Sequence, residues 1–175
     1  MAVIWLTGLS GSGKTTIADK LASHIDSQIV DGDVIRKSIS SDLKHGKSDR
    51  NEHYRRVVNY IKNNLERTEF TIAAFVSQNK AQRQWIRRQF DEDHIPLYEI
   101  YVKTSLQTCE ARDPKGLYAK YRKGEDIKLA GLTEEYEEPD LPFLVCDTDR
   151  EDLDKCTSRI LEAVRFKRCE SVSKQ

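Results

Sequence analysis

Short apolar runs alternate with longer amphipathic stretches along the whole chain. The runs at 3–6, 28–30, 70–76, 97–102 and 143–146 are rich in β-branched and aromatic residues. Near-continuous apolar character over so few positions predicts strands covered on both faces. Between them, Ile17, Ala18, Leu21, Ala22 and Ile25 make one apolar stripe. Tyr54, Val57, Val58, Ile61 and Leu65 make a second, and Leu153, Cys156, Ile160, Leu161 and Val164 a third. Each follows the roughly 3.6-residue period of an amphipathic helix. Residues 80–90 and 105–112 predict two shorter helices. Strands alternating with helices imply right-handed βαβ units. The pattern predicts a single α/β domain over residues 1–175, with a five-stranded, mostly parallel sheet and helices on both faces.

Two stretches break this rhythm. Residues 31–50 and 113–142 are polar and far longer than ordinary connections, which run to about 4–6 residues. On an α/β scaffold such insertions serve as substrate clamps or lids, or simply as solvated loops. Around the start of the second, residues 112–128 carry Arg112, Lys115, Lys120, Arg122, Lys123 and Lys128 against three acidic residues, and an acidic run from Glu134 to Asp140 follows. We therefore expect an acceptor-binding insertion at about 31–55 and a basic lid at about 112–132.

Composition narrows the function. Lys and Arg number 29 and Asp and Glu 29, so the formal net charge is zero. With no global field, nucleic-acid partners are not expected, and any bound anion must be gripped locally. No apolar run approaches the ~20 residues of a membrane span, and the N-terminus lacks the pattern of a signal peptide. Cys109, Cys146, Cys156 and Cys169 form no CxxC pair. They read as reduced, structural thiols of a cytoplasmic protein.

One local grip is explicit. Gly8-Leu9-Ser10-Gly11-Ser12-Gly13-Lys14-Thr15 matches G-x-x-x-x-G-K-[ST], with Thr16 following, between a predicted strand and a predicted helix. Glycines let consecutive N–H groups point inward at phosphate oxygens. The helix start adds the positive end of its dipole. Lys14 is placed to reach the β- and γ-phosphates, and the Thr15 hydroxyl to bind Mg²⁺. This is the P-loop of a P-loop NTPase, with ATP and Mg²⁺ as the expected cofactors. A GTPase needs an NKxD motif, and Asn79-Lys80-Ala81-Gln82 lacks the Asp. Asp147, at the end of an apolar run, resembles a Walker-B carboxylate but lies in the last strand. A small kinase remains.

GLSGSGKTT, DGDVIR, SDRNE, AFVS and CEARDPKGLYAKYRKGE, in that order, closely resemble the adenylyl-sulfate kinase (APS kinase) family from about residue 3 to Thr148. The resemblance implies ATP-dependent phosphorylation of the 3′-hydroxyl of adenosine 5′-phosphosulfate (APS), giving PAPS and ADP, in sulfate assimilation. It also implies a homodimer. Asp31 and Asp33 follow the second strand at the carboxyl edge, where ligands bind in open α/β sheets. One would help hold Mg²⁺, and Asp33, assigned with Thr15 to the metal, would also orient or deprotonate the attacking hydroxyl. The alternative for the pair is a turn with a helix cap before Val34. By family position, Arg36 and Arg50 would hold the acceptor's anionic 5′ group. Lys115 would reach the acceptor, Arg112 the ATP phosphates, and Val76 and Ser77 would contact the acceptor. Family members are commonly described with a phosphoserine intermediate at this serine, so Ser77 is also a candidate nucleophile.

Four departures fall in the expected acceptor pocket. His45 stands where the family usually has Phe, His53 where it has Asn, Gln78 where Pro is common, and Leu129-Ala130-Gly131 replaces Phe-Thr-Gly. Losing an aromatic that stacks on a base removes on the order of 1–3 kcal/mol unless another ring replaces it. A related kinase acting on cytidine diphosphoramidate looks similar to this family. The acceptor is therefore either APS or another 5′-diphosphate-like nucleotide.

Overall fold

The computed structural model describes residues 1–44 and 46–172. His45 lies outside the described residues, as does the side chain of Cys169.

Strands β1 (Ala2–Thr7), β2 (Ser27–Asp31), β3 (Phe70–Ala74), β4 (Leu97–Lys103) and β5 (Leu144–Asp147) form one parallel sheet in the order β2-β3-β1-β4-β5. β1 is central and wholly buried because its alternate residues feed two cores. Ile4 and Leu6 pack with Ile17 and Leu21 of α1 (Lys14–Ala22) and Ile160 of α7 (Leu153–Val172). Val3 and Trp5 pack with Val57 and Ile61 of α3 (Lys47–Lys62) and Phe90 of α4 (Lys80–Glu92). This is the P-loop kinase fold expected from the pattern. All the strand pairings are parallel, so the carboxyl ends of all five strands share one edge. No helix among the described residues is long and apolar enough to cross a membrane.

The polar insertions are more ordered than their composition implies. Residues 31–50 hold α2 (Gly32–Ile39) and the first turn of α3, which starts seven residues before the apolar stripe does. Asp31 starts α2 by accepting hydrogen bonds from the Asp33 and Val34 amides. The helix-cap alternative is thus realised, and it supplies local order that periodicity does not show. Residues 113–142 include α6 (Leu117–Arg122), which follows α5 (Leu106–Arg112). The lid has a small core of its own, Cys109, Tyr118 and Leu129, packed with Leu9 of the P-loop.

The acidic run is an anchor. The Glu137 carboxylate accepts from the Lys80 amide at the start of α4, where the helix dipole favours an anion. Lys80 Nζ donates to Asp140 at 2.6 Å, and Arg83 Nη2 donates to the Glu137 carbonyl at 2.6 Å. Tyr136 stacks on Tyr101 and bonds the Thr7 hydroxyl at 2.9 Å. Cys109, Cys146 and Cys156 are buried free thiols, and burial pushes Cys146 up to about 12. Such thiols are packing groups.

Candidate active site

The P-loop curls because its backbone approaches other backbone too closely for side chains. A Cβ on Gly8 would meet the Val102 carbonyl oxygen at 2.4 Å, and one on Gly11 the Cys109 carbonyl oxygen at 2.9 Å. The next link is Ser12, whose carbonyl accepts from the Thr104 and Thr148 hydroxyls at 3.2 Å each. Arg112 joins the same edge. It donates to the Thr148 hydroxyl at 3.0 Å and to the Thr148 carbonyl at 2.9 Å, fixing the end of α5 beside the loop. The Tyr118 hydroxyl donates to the Ser10 carbonyl at 2.9 Å, tying the lid to the loop from above.

Lys14 opens α1, and its N-cap, Gly13, supplies no side-chain cap. The first-turn amides are therefore left for a ligand. The Lys14 ammonium lies in the loop's mouth, donating to the carbonyls of Gly8 (3.0 Å) and Leu9 (2.6 Å) and to Ser12 Oγ (3.4 Å). Burial, and after it the charge of Lys115, bring its pKa down to about 8, while Asp33 and Asp31 oppose that shift. These four charges share one cleft. Thr15 and Thr16 are exposed in the first turn of α1.

The two carboxylates after β2 divide. Asp31 uses one oxygen to cap α2 and accepts from Thr15 Oγ1 on the other at 3.0 Å. Asp33 forms an ion pair with Lys115 of the lid. Thr15 therefore neighbours Asp31, the carboxylate that ends β2, while Asp33, expected with Thr15 at the metal, lies against Lys115. A hydroxyl and a carboxylate side by side suit Mg²⁺, which takes few protein oxygens and completes its shell with phosphates and water. Lys115 reaches Asp33 because Asp113 caps α6, accepting from the Tyr118 and Ala119 amides at 3.1 and 2.9 Å, with Gly116 in the left-handed region.

The remaining expected residues separate into two groups. The charges of Arg36 and Arg50 both reach Tyr54 of α3. Arg36 donates to the Lys44 carbonyl. Arg50 donates to both carboxylate oxygens of Glu134, one bond measuring 2.9 Å. Val76 is partly buried, and its carbonyl accepts from Thr7 Oγ1 at 2.8 Å. Ser77, His53 and Leu129 lie beneath the surface. Ser77 is fully buried at a positive φ of 46°, with every polar atom engaged. Its amide donates to Tyr54 Oη (3.1 Å), its carbonyl accepts from Arg83 (2.6 Å), and its hydroxyl accepts from the Trp5 indole (3.0 Å). It fixes the exit of β3 rather than presenting a free nucleophile. His53 is buried against Tyr54 and Phe75, with Nδ1 2.9 Å from Ser40 Oγ. Leu129 packs inside the lid core, so it does not replace a base-stacking ring.

Sequence reasoning missed Tyr118, Arg83 and Glu134. Tyr118 lies inside the DPKGLY string, which is the signal that marks it. Arg83 is buried, its Nε 3.1 Å from Glu99. It reads as an ordinary charged position on a helix, and no local pattern marks it or Glu134.

With this geometry in place, similarity to known proteins is extensive. A family model described as adenylylsulphate kinase matches residues 1–147. The adenylyl-sulfate kinase of Bacillus licheniformis is 41% identical over 169 residues, 94% of this chain and 85% of its own length. A probable adenylyl-sulfate kinase of Aeropyrum pernix is 40% identical over 169 residues, 93% of this chain and 92% of its own. The structure of the Mycobacterium tuberculosis APS kinase in complex with AMPPNP and APS matches with a TM-score of 0.87 at 31% identity, covering 94% of this chain and 97% of that one. Matched over most of its length by the family model and these relatives, the chain belongs to the adenylyl-sulfate kinase family and is a phosphotransferase.

Proposed function

We propose that the protein transfers the γ-phosphoryl group of ATP to the 3′-hydroxyl of APS, giving PAPS and ADP. The observation that carries this reading is the shared cleft. Lys14, with the open amides of α1, shares it with Asp31, Asp33 and Lys115. A solved relative, the Mycobacterium tuberculosis APS kinase, holds AMPPNP and APS together.

The chain's own residues supply the steps. P-loop amides and the Lys14 ammonium hold the phosphates and meet the charge that develops on them. Asp33 leaves Lys115, orients the 3′-hydroxyl and takes its proton as the oxygen attacks the γ-phosphorus. The bond from that phosphorus to the β–γ bridging oxygen breaks in line, and ADP leaves with the electron pair. Thr15 and Asp31 would hold Mg²⁺, which when bound neutralises phosphate charge. Lys115, freed from Asp33, turns to the acceptor. Direct transfer needs no serine, in keeping with the engagement of Ser77 by Trp5, Tyr54 and Arg83.

A second reading, a different 5′-diphosphate-like nucleotide such as cytidine diphosphoramidate, is favoured by one observation. Leu129, at the position where the family carries a base-stacking Phe, packs inside the lid core, so no ring from that position meets an adenine.

An ADP-release assay with APS and cytidine diphosphoramidate as rival acceptors decides between these readings. Robust turnover with APS is expected, and turnover with the cytidine compound alone would reject the primary reading. Within the site, Asp33→Asn should lower kcat by roughly 10²–10⁴-fold while ATP binding is kept. Ser77→Ala should retain kcat within about tenfold and lose about 1 kcal/mol of stability in urea denaturation. The reverse ranking of the two kcat values would reassign the chemistry to the serine.

The position of Lys14 couples ATP binding to pH. Its pKa is about 8 in the free protein, and bound phosphates must raise it by favouring the ammonium. Affinity should therefore fall as pH rises through about 8, where binding requires proton uptake. Calorimetry near pH ~8.5 in buffers of different ionisation enthalpy should register that uptake. Affinity that stays flat to pH ~9.5 would contradict it.

A further inference from the structure

Glu134 directly follows the lid and pairs with Arg50 of α3. Its carboxylate occupies both forks of the Arg50 guanidinium and also accepts from Gln78 Nε2 at 2.8 Å. The Arg50 guanidinium, and then Gln78, hold its carboxyl at about 2, so it is fully ionised at neutral pH. Both side chains of the pair remain about one-quarter exposed, so the contact borders solvent and can be exchanged. Backbone geometry aims the carboxylate, with the Gly131 amide donating to the Glu134 carbonyl at 2.7 Å and the Glu134 amide donating to the Leu129 carbonyl. The fork that Glu134 fills is closed to a second anion, and the neighbouring carboxylate repels one.

We propose that Glu134 is a specificity-determining residue, an internal carboxylate that competes with the acceptor's anionic 5′ group for Arg50. The inference rests on the reading of Arg50 as the acceptor's anion anchor. An acceptor whose 5′ group reaches Arg50 must displace Glu134, and one without such a group leaves the pair in place. Gln78 stiffens the competitor by holding one of its oxygens. Glu134 thereby lowers the advantage of strongly anionic acceptors and sets how much charge the subsite rewards. It is a positioning residue, acting through Arg50 without bonding to the reacting atoms.

The test is calorimetric titration of APS into the ADP-saturated protein, so that binding is read without turnover. Glu134→Gln, which keeps the shape and removes the charge, should tighten APS binding about fivefold, and Glu134→Ala should move it in the same direction. In an Arg50→Ala background the same substitution should change affinity less than about twofold. Unchanged, weaker or undetectable APS binding in Glu134→Gln would overturn the proposal, as would a gain that persists without Arg50. Wild-type turnover with APS is scored separately. Tighter binding in Glu134→Gln alongside no wild-type turnover would reject APS as the acceptor and leave the role of Glu134 standing.

Discussion

The site depends on a backbone constraint. The P-loop is pressed so closely against the end of β4 and the middle of α5 that side chains at positions 8 and 11 would collide with carbonyl oxygens. That pressure curls the loop and leaves the first amides of α1 without a side-chain cap. It also brings the Gly8 and Leu9 carbonyls to the Lys14 ammonium, which is otherwise buried. A buried ammonium with only neutral acceptors is held at a cost, seen in its lowered pKa. The loop is therefore a cavity of donors around an underneutralised cation. Phosphate oxygens relieve both conditions together.

Around that loop, the lid is linked through contacts of opposite sign. Lys115 sits on Asp33, and Glu134 sits on Arg50. In the free protein, groups that would meet the acceptor are matched by charges from the lid itself. The exposed Lys115–Asp33 pair contributes little to stability, ~0–1 kcal/mol, and the Arg50–Glu134 pair borders solvent, so both can be exchanged for substrate contacts. The strong attachments lie elsewhere: Tyr118 on Ser10, the lid core on Leu9, and the acidic run at the start of α4.

Much of this was legible in the sequence, and for physical reasons. Strands buried on both faces announce themselves as apolar runs, and the P-loop must use glycines where its backbone is crowded. The DPKGLY string was legible through family resemblance, and its geometry shows why: Asp113 caps α6 and aims Lys115. What was not legible depends on distant partners. The early start of α3 comes from polar residues, which carry no periodic signal. The acidic run looks solvated until α4 is placed beneath it. Leu129 and Ser77 occupy positions matched to ligand contacts, yet packing draws both inward, one into the lid core and the other under Trp5 and Tyr54. Arg50 was legible as an anion holder, but its internal anion, 84 residues further along the chain, was not.

The central claim is that one cleft passes a phosphoryl group from ATP to the 3′-oxygen of a nucleotide. Phosphorus NMR of the reaction with ATP and APS tests it most directly, because it locates the transferred group. The account predicts a new phosphomonoester signal coupled to the ribose 3′ proton, growing in step with ADP. A signal at another position, or inorganic phosphate as the only new species beside ADP, would contradict it.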